Sequence, residues 1–381
     1  MMNYKRLNIN ETPVNTTYKL TVNASKGSNT TRALSLNGNT LNTTWKTGET
    51  VNVYNTSSVL LGTLTAQSDG SNTILSGTLT TAPSVNDVLT LKFLSDSYTS
   101  QTGTLEHIAA NCDYATASVT VNAVSGNNIT TTDATFANQQ AIVKFTLKDK
   151  ADGTSSLNAT QLVVNDGGTS YTVTPASPTD VLYVAIPGIS NQNVSLTATV
   201  GSDTYNFSKT GITFANSQYY IINVKMTREA KDADIGKIIA TNGCIYDDVT
   251  TANSHSTAAA MIAYIGNESN CTHGLALALT NCPNTQTFHD GTFIDSNTPT
   301  LSVSGGTWRI PSLQDWNTMN SNIHTHSAIL NLSDGDYWTS TSHSTSGYAY
   351  KAVISQSGTM VDTSQPDNKN TALNVRAVLA F

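Results

Sequence analysis

Apolar and polar residues alternate in short runs along the first third of the chain. Tyr18, Leu20 and Val22 are separated by polar residues, and a period of two places one set of side chains on a single face of a strand. Turns rich in Asn, Asp and Gly separate the runs. Further runs of this kind occupy residues 51–54, 60–65, 74–79, 89–94 and 118–121. Regular strands without a helical period predict a β-sandwich domain over residues 1–139.

A second series of strands begins at residue 140. Residues 141–147 (AIVKFTL) have the strongest strand pattern of the chain. Residues 165–168 (NDGG) supply the positive φ angles that a tight hairpin turn needs. Further strands are predicted at residues 181–186, 194–200 and 219–226. The series predicts a second β-sandwich domain over residues 140–230, with the charged stretch 228–232 as the linker that follows.

The pattern changes in the last part of the chain, residues 231–381. Three of the four tryptophans lie here, and Ser312 with Asp315 has the spacing of a helix capping box. Strands are predicted at residues 235–239, 258–265, 274–279, 349–354, 359–362 and 375–381. This mixture predicts a compact α+β domain. The fold class expected for the whole chain is therefore mainly β.

Composition indicates a secreted or surface protein. Charged residues make up 12% of the chain, about half the usual share. The net charge of −7 argues against nucleic-acid binding, which requires clustered Lys and Arg. No run of 18 apolar residues predicts a membrane span. The first residues, MMNYKR, lack the apolar core of a signal peptide, so we expect that an export signal has been removed and that any membrane attachment is through a lipid anchor.

The four cysteines leave two readings open. Cys271 and Cys282 could close a short disulfide loop, which export would allow. Alternatively, all four are buried apolar side chains. Their spacings match no zinc pattern, and we expect no cofactor.

The first two predicted domains resemble the fimbrillin pilins and related lipoproteins of Bacteroidales. The resemblance is carried by residues 32–34 (RAL), 45–54 (WKTGETVNVY) and 214–224 (FANSQYYIINV). It implies two transthyretin-like sandwiches, export to the cell surface, and assembly with other pilin subunits by donor-strand exchange. A protease cuts fimbrillins after a basic residue near the first strand, and Arg32 is the matching candidate. An exposed Arg ahead of a strand needs no such role, so both readings stay open.

Residues 235–381 resemble a C-type-lectin-like domain of the kind shared with formylglycine-generating enzymes and with the variable proteins of diversity-generating retroelements. The matching segments are residues 308–312 (WRIPS), Trp316, 337–341 (YWTST) and 374–381 (NVRAVLAF). This resemblance implies a recognition domain, as in the C-terminal modules of pilus-tip proteins. The calcium-site segments of sugar-binding C-type lectins and the paired cysteines of formylglycine-generating enzymes are missing from the sequence, so no metal site and no enzyme activity are expected.

The resemblance also indicates where a ligand would bind. Retroelement-linked relatives carry their variable residues between the tryptophan–serine–threonine motif and the closing strand. In this chain that interval is rich in Tyr, Ser, His and Asn, which suit adaptable recognition. The candidate ligand-binding residues are His343, Tyr348, Tyr350, Gln356 and Asn368. The alternative is an ordinary Ser- and Thr-rich loop. Trp338 is expected in the core, and Arg309 and Arg376 are expected to hold structure through hydrogen bonds.

These expectations combine into one functional prediction. The chain is expected to be a fimbrial, pilus-tip adhesin at the cell surface or outer membrane that binds a host or bacterial glycan or protein. Two alternatives remain: a structural stalk pilin, and a surface lipoprotein outside any pilus that captures glycans.

Overall fold

The computed structural model describes residues 17–26, 35–37, 40–42, 44–267, 271–288, 302–332, 334–355 and 363–381. The protein is mainly β, with 51% strand and 11% helix, which confirms the predicted class. The chain forms two compact units. The first unit comprises residues 1–148, 156–202 and 206–224, and the second comprises residues 149–155, 203–205 and 225–381. The three predicted domain boundaries stay a prediction.

The first unit begins with eleven short strands, which include every strand predicted in this part of the chain. They are β1 (Tyr18–Lys26), β2 (Ser35–Asn37), β3 (Thr40–Asn42), β4 (Thr50–Tyr54), β5 (Leu60–Ala66), β6 (Asn72–Leu79), β7 (Val88–Phe93), β8 (Ser100–Gln101), β9 (Ala115–Ser125), β10 (Asn128–Thr131) and β11 (Ala134–Asn138). A short helix, α1 (Leu105–His107), continues into a π-helical turn, Ile108–Cys112. Eight of these strands form the first sheet, in the order β10-β1-β11-β9-β7-β4-β5-β6, and β2 pairs with β3 as a hairpin.

The first strand closes this first sheet on itself. β1 pairs antiparallel with β6 along most of its length. On its other side, the first half of β1 runs parallel to β10 and the second half runs parallel to β11. Leu20, Val22 and Ala24 point inward and are at most 2% exposed. The alternation that predicted the strand is therefore the alternation between the core and the surface.

Trp45 fills the centre of the first sheet. Its side chain is fully buried, and its ring meets Phe136 and Phe93 edge to face at centroid distances of 5.3 and 6.0 Å. Edge-to-face packing aligns the positive ring edge with the negative ring face and adds to the hydrophobic gain of burial.

The second sheet belongs mainly to the first unit. Its further strands are β12 (Gln140–Asp149), β13 (Gln161–Asn165), β14 (Ser170–Val173), β15 (Val181–Pro187), β16 (Ile189–Val200), β17 (Asp203–Phe214) and β18 (Tyr219–Arg228). The order is β15-β12-β18-β17-β16-β13-β14-β8. The predicted strand 141–147 is the centre of β12, and the predicted turn 165–168 joins β13 to β14 in a hairpin. The sequence did not predict β17, because only Tyr205 and Phe214 of its side chains are buried.

The described residues of the second unit form two smaller sheets and three α-helices. Its elements are β19 (Ile238–Ala240), β20 (Ile245–Tyr246), α2 (Val249–His255), β21 (Ala258–Ile265), β22 (Gly274–Ala278), β23 (Thr307–Arg309), α3 (Leu313–Thr325), α4 (Ser327–Leu330), β24 (Gly335–Ser342), β25 (Tyr348–Ile354), β26 (Pro366–Asn368) and β27 (Val378–Ala380). Six strands follow the order β20-β19-β21-β22-β27-β23, and β24, β25 and β26 form a separate sheet. Within the described residues, no helix combines the length and the apolarity that a membrane span requires.

Several predictions for this unit need adjustment. The predicted strand 235–239 begins only at Ile238, because a 3₁₀ turn, Asp232–Asp234, comes before it. The predicted strand 375–381 shortens to β27. The predicted strand 359–362 lies outside the described residues. All four cysteines are buried thiols that form no disulfide, which favours the second of the two readings.

The charged stretch after β18 is held by ion pairs. Arg228 donates to both carboxylate oxygens of Asp234, at 2.7 and 2.8 Å. Lys231 pairs with Asp203, and Lys237 lies 3.3 Å from Asp234. Burial acts to raise the pKa of Asp234, but the hydrogen bonds from Arg228 outweigh it and leave that pKa below its usual range.

Candidate ligand-binding surface

The sheet of β24, β25 and β26 brings four of the five predicted binding residues together. Tyr348 on β25 lies directly opposite Asn368 on β26, and Tyr350 lies opposite Pro366. Side chains of directly opposite residues leave a sheet on the same face. The backbone N–H of His343 donates to the carbonyl of Tyr348 at 3.0 Å, which places His343 beside this face. Gln356 and the processing candidate Arg32 lie outside the described residues.

A bulge in β24 shapes this surface. Trp338 lies opposite Lys351 and Ser342 lies opposite Ala349, so that residues 339–341 all oppose the single residue Tyr350. The Thr339 hydroxyl donates to the Tyr350 carbonyl at 2.8 Å and replaces a missing ladder bond. The N–H of Ser340 turns away and donates to the Pro311 carbonyl at 2.9 Å. The tryptophan–serine–threonine motif thus forms a bulge, and bulges commonly re-aim side chains next to functional sites.

Aromatic side chains dominate the exposed face. The His343 and Tyr350 rings meet nearly at right angles, with centroids 5.0 Å apart. Nδ1 of His343 accepts from the Thr345 N–H at 3.0 Å, so the neutral imidazole carries its proton on Nε2. Tyr348 is 39% exposed, an unusual exposure for a large aromatic side chain on a strand. A half-buried aromatic pair with an exposed ring beside it offers rigid contact area at low entropic cost.

Asn368 contributes a polar group at the edge of the same face. Its Oδ1 accepts from the Asn370 N–H at 2.9 Å, and its own N–H donates to Asp367 at 2.7 Å. These bonds fix the side chain in a turn. Within the described part of the chain, the Nδ2 amide hydrogens then have no protein acceptor, and they can donate to a ligand.

On the opposite face of the same sheet, one lysine lies between two carboxylates. Nζ of Lys351 lies 2.6 Å from Asp336 and 3.1 Å from Asp367. Burial acts to lower the pKa of Lys351, but the two carboxylates outweigh it and raise that pKa.

A buried frame supports the sheet. Arg309 on β23 binds both carboxylate oxygens of Asp315, and Asp315 also accepts from the Ser312 N–H at 2.6 Å. Ser312 caps α3 in the predicted capping box. Trp338 is 2% exposed, and its Nε1 donates to the Gln286 carbonyl at 2.8 Å. The predicted core position of Trp338 is confirmed.

Both arginines have the predicted structural role. Arg309 binds the Asp315 carboxylate, while Arg376 is buried and donates to the carbonyls of Leu330 and Leu279, at 2.8 and 3.3 Å. Burial lowers the pKa of Arg376 to about 10.

Sequence reasoning missed Lys369, next to Asn368. Its Nζ lies 4.7 Å from the centroid of the Phe288 ring and donates to the Ser342 hydroxyl at 3.0 Å. Phe288 in turn meets Trp338 edge to face at 5.4 Å. The lysine therefore fixes the turn after β26 against the core. No short sequence motif predicts this contact, because Phe288 and Lys369 are distant from each other in sequence.

No family model matches this sequence, and no curated protein matches it. Among solved structures, a "putative cell adhesion protein" from Bacteroides uniformis is 12% identical over 56% of this chain and 97% of that one, with a TM-score of 0.31. A fimbrial assembly protein from Parabacteroides distasonis is 11% identical over 56% of this chain and 95% of that one, with a TM-score of 0.31. A shaft pilin from Lactobacillus rhamnosus is 11% identical over 55% of this chain and 98% of that one, with a TM-score of 0.25. These likenesses are distant in both sequence and structure.

Proposed function

We propose that this protein is a fimbrial adhesin of the cell surface whose C-terminal domain binds a glycan or a protein. The observation that carries the proposal is the exposed Tyr348 ring beside the His343–Tyr350 pair and the Asn368 amide, all on one bulged sheet. In this proposal residues 235–381 form a lectin-like recognition domain without enzyme activity, and two transthyretin-like sandwiches come before it.

We further propose that subunits assemble by donor-strand exchange at the position of β1. This strand lies between β6 and the pair β10 and β11, and it comes just before Arg32 in sequence. Cleavage after Arg32 would leave β1 attached only by hydrogen bonds and packing. Its loss would expose the edges of its neighbours and the space filled by Leu20, Val22 and Ala24, and a partner strand could complete the sheet.

The pairing of β27 favours a subunit that accepts a strand from another subunit over one that donates β27. β27 lies between β22 and β23 and pairs antiparallel with both. Donating residues 378–380 to another subunit would break the six-stranded sheet of the second unit. This arrangement disfavours a stalk pilin that donates residues 378–380 themselves.

Binding can be tested on glycan and cell-surface protein arrays. We expect Tyr348→Ala to weaken binding to any array ligand by at least about tenfold, because it removes a central exposed aromatic contact. His343→Ala should weaken the same binding by a smaller factor through loss of the Tyr350 partner. Ile221→Ala is the matched control, since Ile221 is a similarly exposed apolar side chain on β18 of the first unit. An array ligand whose binding is unchanged in both surface variants would exclude this face, and no binding at all would favour a stalk pilin.

Strand exchange can be tested with an arginine-specific protease and a labelled peptide that copies residues 17–26. We expect the cut protein to incorporate the peptide, because cleavage frees β1 for replacement. Intact protein and cut Arg32→Ala protein should incorporate none, while Arg6→Ala should behave as wild type. Protein shown by mass spectrometry to be cut after residue 32, yet incorporating no peptide, would contradict the exchange.

A further inference from the structure

Away from the candidate ligand-binding surface, a cleft opens on the outer face of the first sheet, in the first unit. It has a volume of about 680 Å³ and is bounded by β4, β7 and the π-helical turn after α1. We refer to it as the β4–β7 cleft. Its lining includes Glu49, Asn52, Lys92, Leu94 and Asn111. This volume lies within the range of sites that bind small molecules and short peptides.

Two unusual backbone features form the rim of the β4–β7 cleft. Leu94 has a φ angle of 54°, in the left-handed region that bulky residues avoid; its side chain packs against the core of the first sheet. In the π-helical turn, Ile108 and Cys112 are buried, while Asn111 lines the cleft. Left-handed non-glycine residues and π-helical turns both concentrate at functional sites. Here both features line one cleft.

The cleft also carries two opposite charges that are not used in ion pairs. Nζ of Lys92 lies 5.0 Å from the centroid of the Tyr54 ring, and Glu49 accepts from the Lys46 backbone N–H at 3.1 Å. In the described ranges, neither Lys92 nor Glu49 contacts a group of opposite charge. Asn52 lies opposite Lys92 across the β4–β7 ladder. Its Oδ1 accepts from the Thr63 hydroxyl, which leaves its Nδ2 as a donor toward the cleft.

This chemistry favours a ligand with both charges over a sugar. Sugar sites commonly present an open aromatic face. Among the described residues that line the β4–β7 cleft the one aromatic side chain is Phe93, and it is buried in the core. We propose that the β4–β7 cleft binds a short zwitterionic peptide, with its carboxylate at Lys92 and its ammonium at Glu49. Nδ2 of Asn52 then donates to a peptide carbonyl, and Oδ1 of Asn111, whose Nδ2 donates to the His107 carbonyl at 3.0 Å, accepts from a peptide N–H.

The proposal can be tested with glycine, diglycine, triglycine and tetraglycine on the full chain at low salt. Their charge separation grows by about 3.5 Å per residue, so we expect the affinity measured by calorimetry or saturation-transfer NMR to peak at one length. The N-acetylated and C-amidated peptide of that length lacks both charges and should bind at least about tenfold more weakly. Maltotriose, an uncharged trisaccharide, should not bind.

Substitutions identify the cleft as the site. Lys92→Gln and Glu49→Gln should each reduce the affinity for the best peptide by about tenfold. Lys144→Gln is the matched control, because Lys144 is a half-buried lysine 6.0 Å from the Tyr183 ring in the second sheet. All three variants should melt at the wild-type temperature. The proposal is overturned if no peptide of the series binds at millimolar concentration, if binding is insensitive to both cleft substitutions, or if maltotriose binds as well as the peptides.

Discussion

Replacing Trp45 with alanine is expected to lower the free energy of unfolding of the first unit by about 3–5 kcal/mol. The indole is fully buried and contacts Phe93 and Phe136, so its loss leaves a cavity in a sheet that closes on itself. Neighbouring strands cannot move inward to fill the cavity without breaking their ladders. Chemical denaturation followed by circular dichroism measures the effect.

Two controls separate this effect from a general loss of stability. Trp45→Phe keeps an edge-to-face ring and should recover part of the lost free energy. Ile221→Ala removes an exposed side chain of the same unit and should change the free energy of unfolding by less than about 0.5 kcal/mol. A Trp45→Ala protein as stable as Ile221→Ala would contradict the packing described for the first sheet.

Replacing Asp315 with alanine is expected to destabilise the second unit by about 3 kcal/mol at pH 7. Asp315 is nearly fully buried, and the substitution removes the carboxylate that binds the Arg309 guanidinium and accepts from the Ser312 N–H. In a Trp45→Phe background every remaining tryptophan lies in the second unit, so tryptophan fluorescence reports its unfolding alone. Asp247→Ala is the control, because the Lys237–Asp247 pair is largely exposed and contributes at most about 1 kcal/mol.

Acid should reduce the difference between wild type and Asp315→Ala. Burial acts to raise the pKa of the Asp315 carboxyl, but the hydrogen bonds from Arg309 and Ser312 outweigh it and leave that pKa below its usual range. A lowered pKa in the folded state stabilises the protein above the unfolded-state value near pH 4, and this contribution is lost as the pH falls through the folded-state pKa. Equal differences at pH 7 and pH 3 would show that the carboxylate charge does not stabilise α3.

Local patterns predicted the elements that depend on local interactions. The capping box of α3 needs only Ser312 and Asp315, three residues apart, and it forms as predicted. β1 was also predicted, because its apolar and polar residues alternate and its apolar side chains are the buried ones. β12 was predicted from its run of apolar residues, most of which are buried. The sequence predicted that Tyr348 and Asn368 belong to one binding surface. It did not predict that they lie directly opposite each other on neighbouring strands.

Elements that depend on distant partners were not predictable in this way. α2 has the sequence VTTANSH and buries only Ala252, so it lacks an apolar period; the Asp248 side chain stabilises its start by accepting from the Thr251 N–H. The bulge at Thr339 depends on its pairing with Tyr350, and the position of Lys351 between two carboxylates depends on three strands meeting. The pattern of a single sequence does not show which distant strands pair with each other.

The closure of the first sheet by β1 has a consequence for the order of folding. Asn23 bonds to Asp133, 110 residues further along the chain, so β1 reaches its last partners only after most of the first sheet exists. Forming such a contact requires closing a long loop, which slows folding. β1 can pair with β6 earlier, but its other edge therefore stays unpaired until β10 and β11 have been synthesised. We expect that free edge to need protection from premature association during that interval.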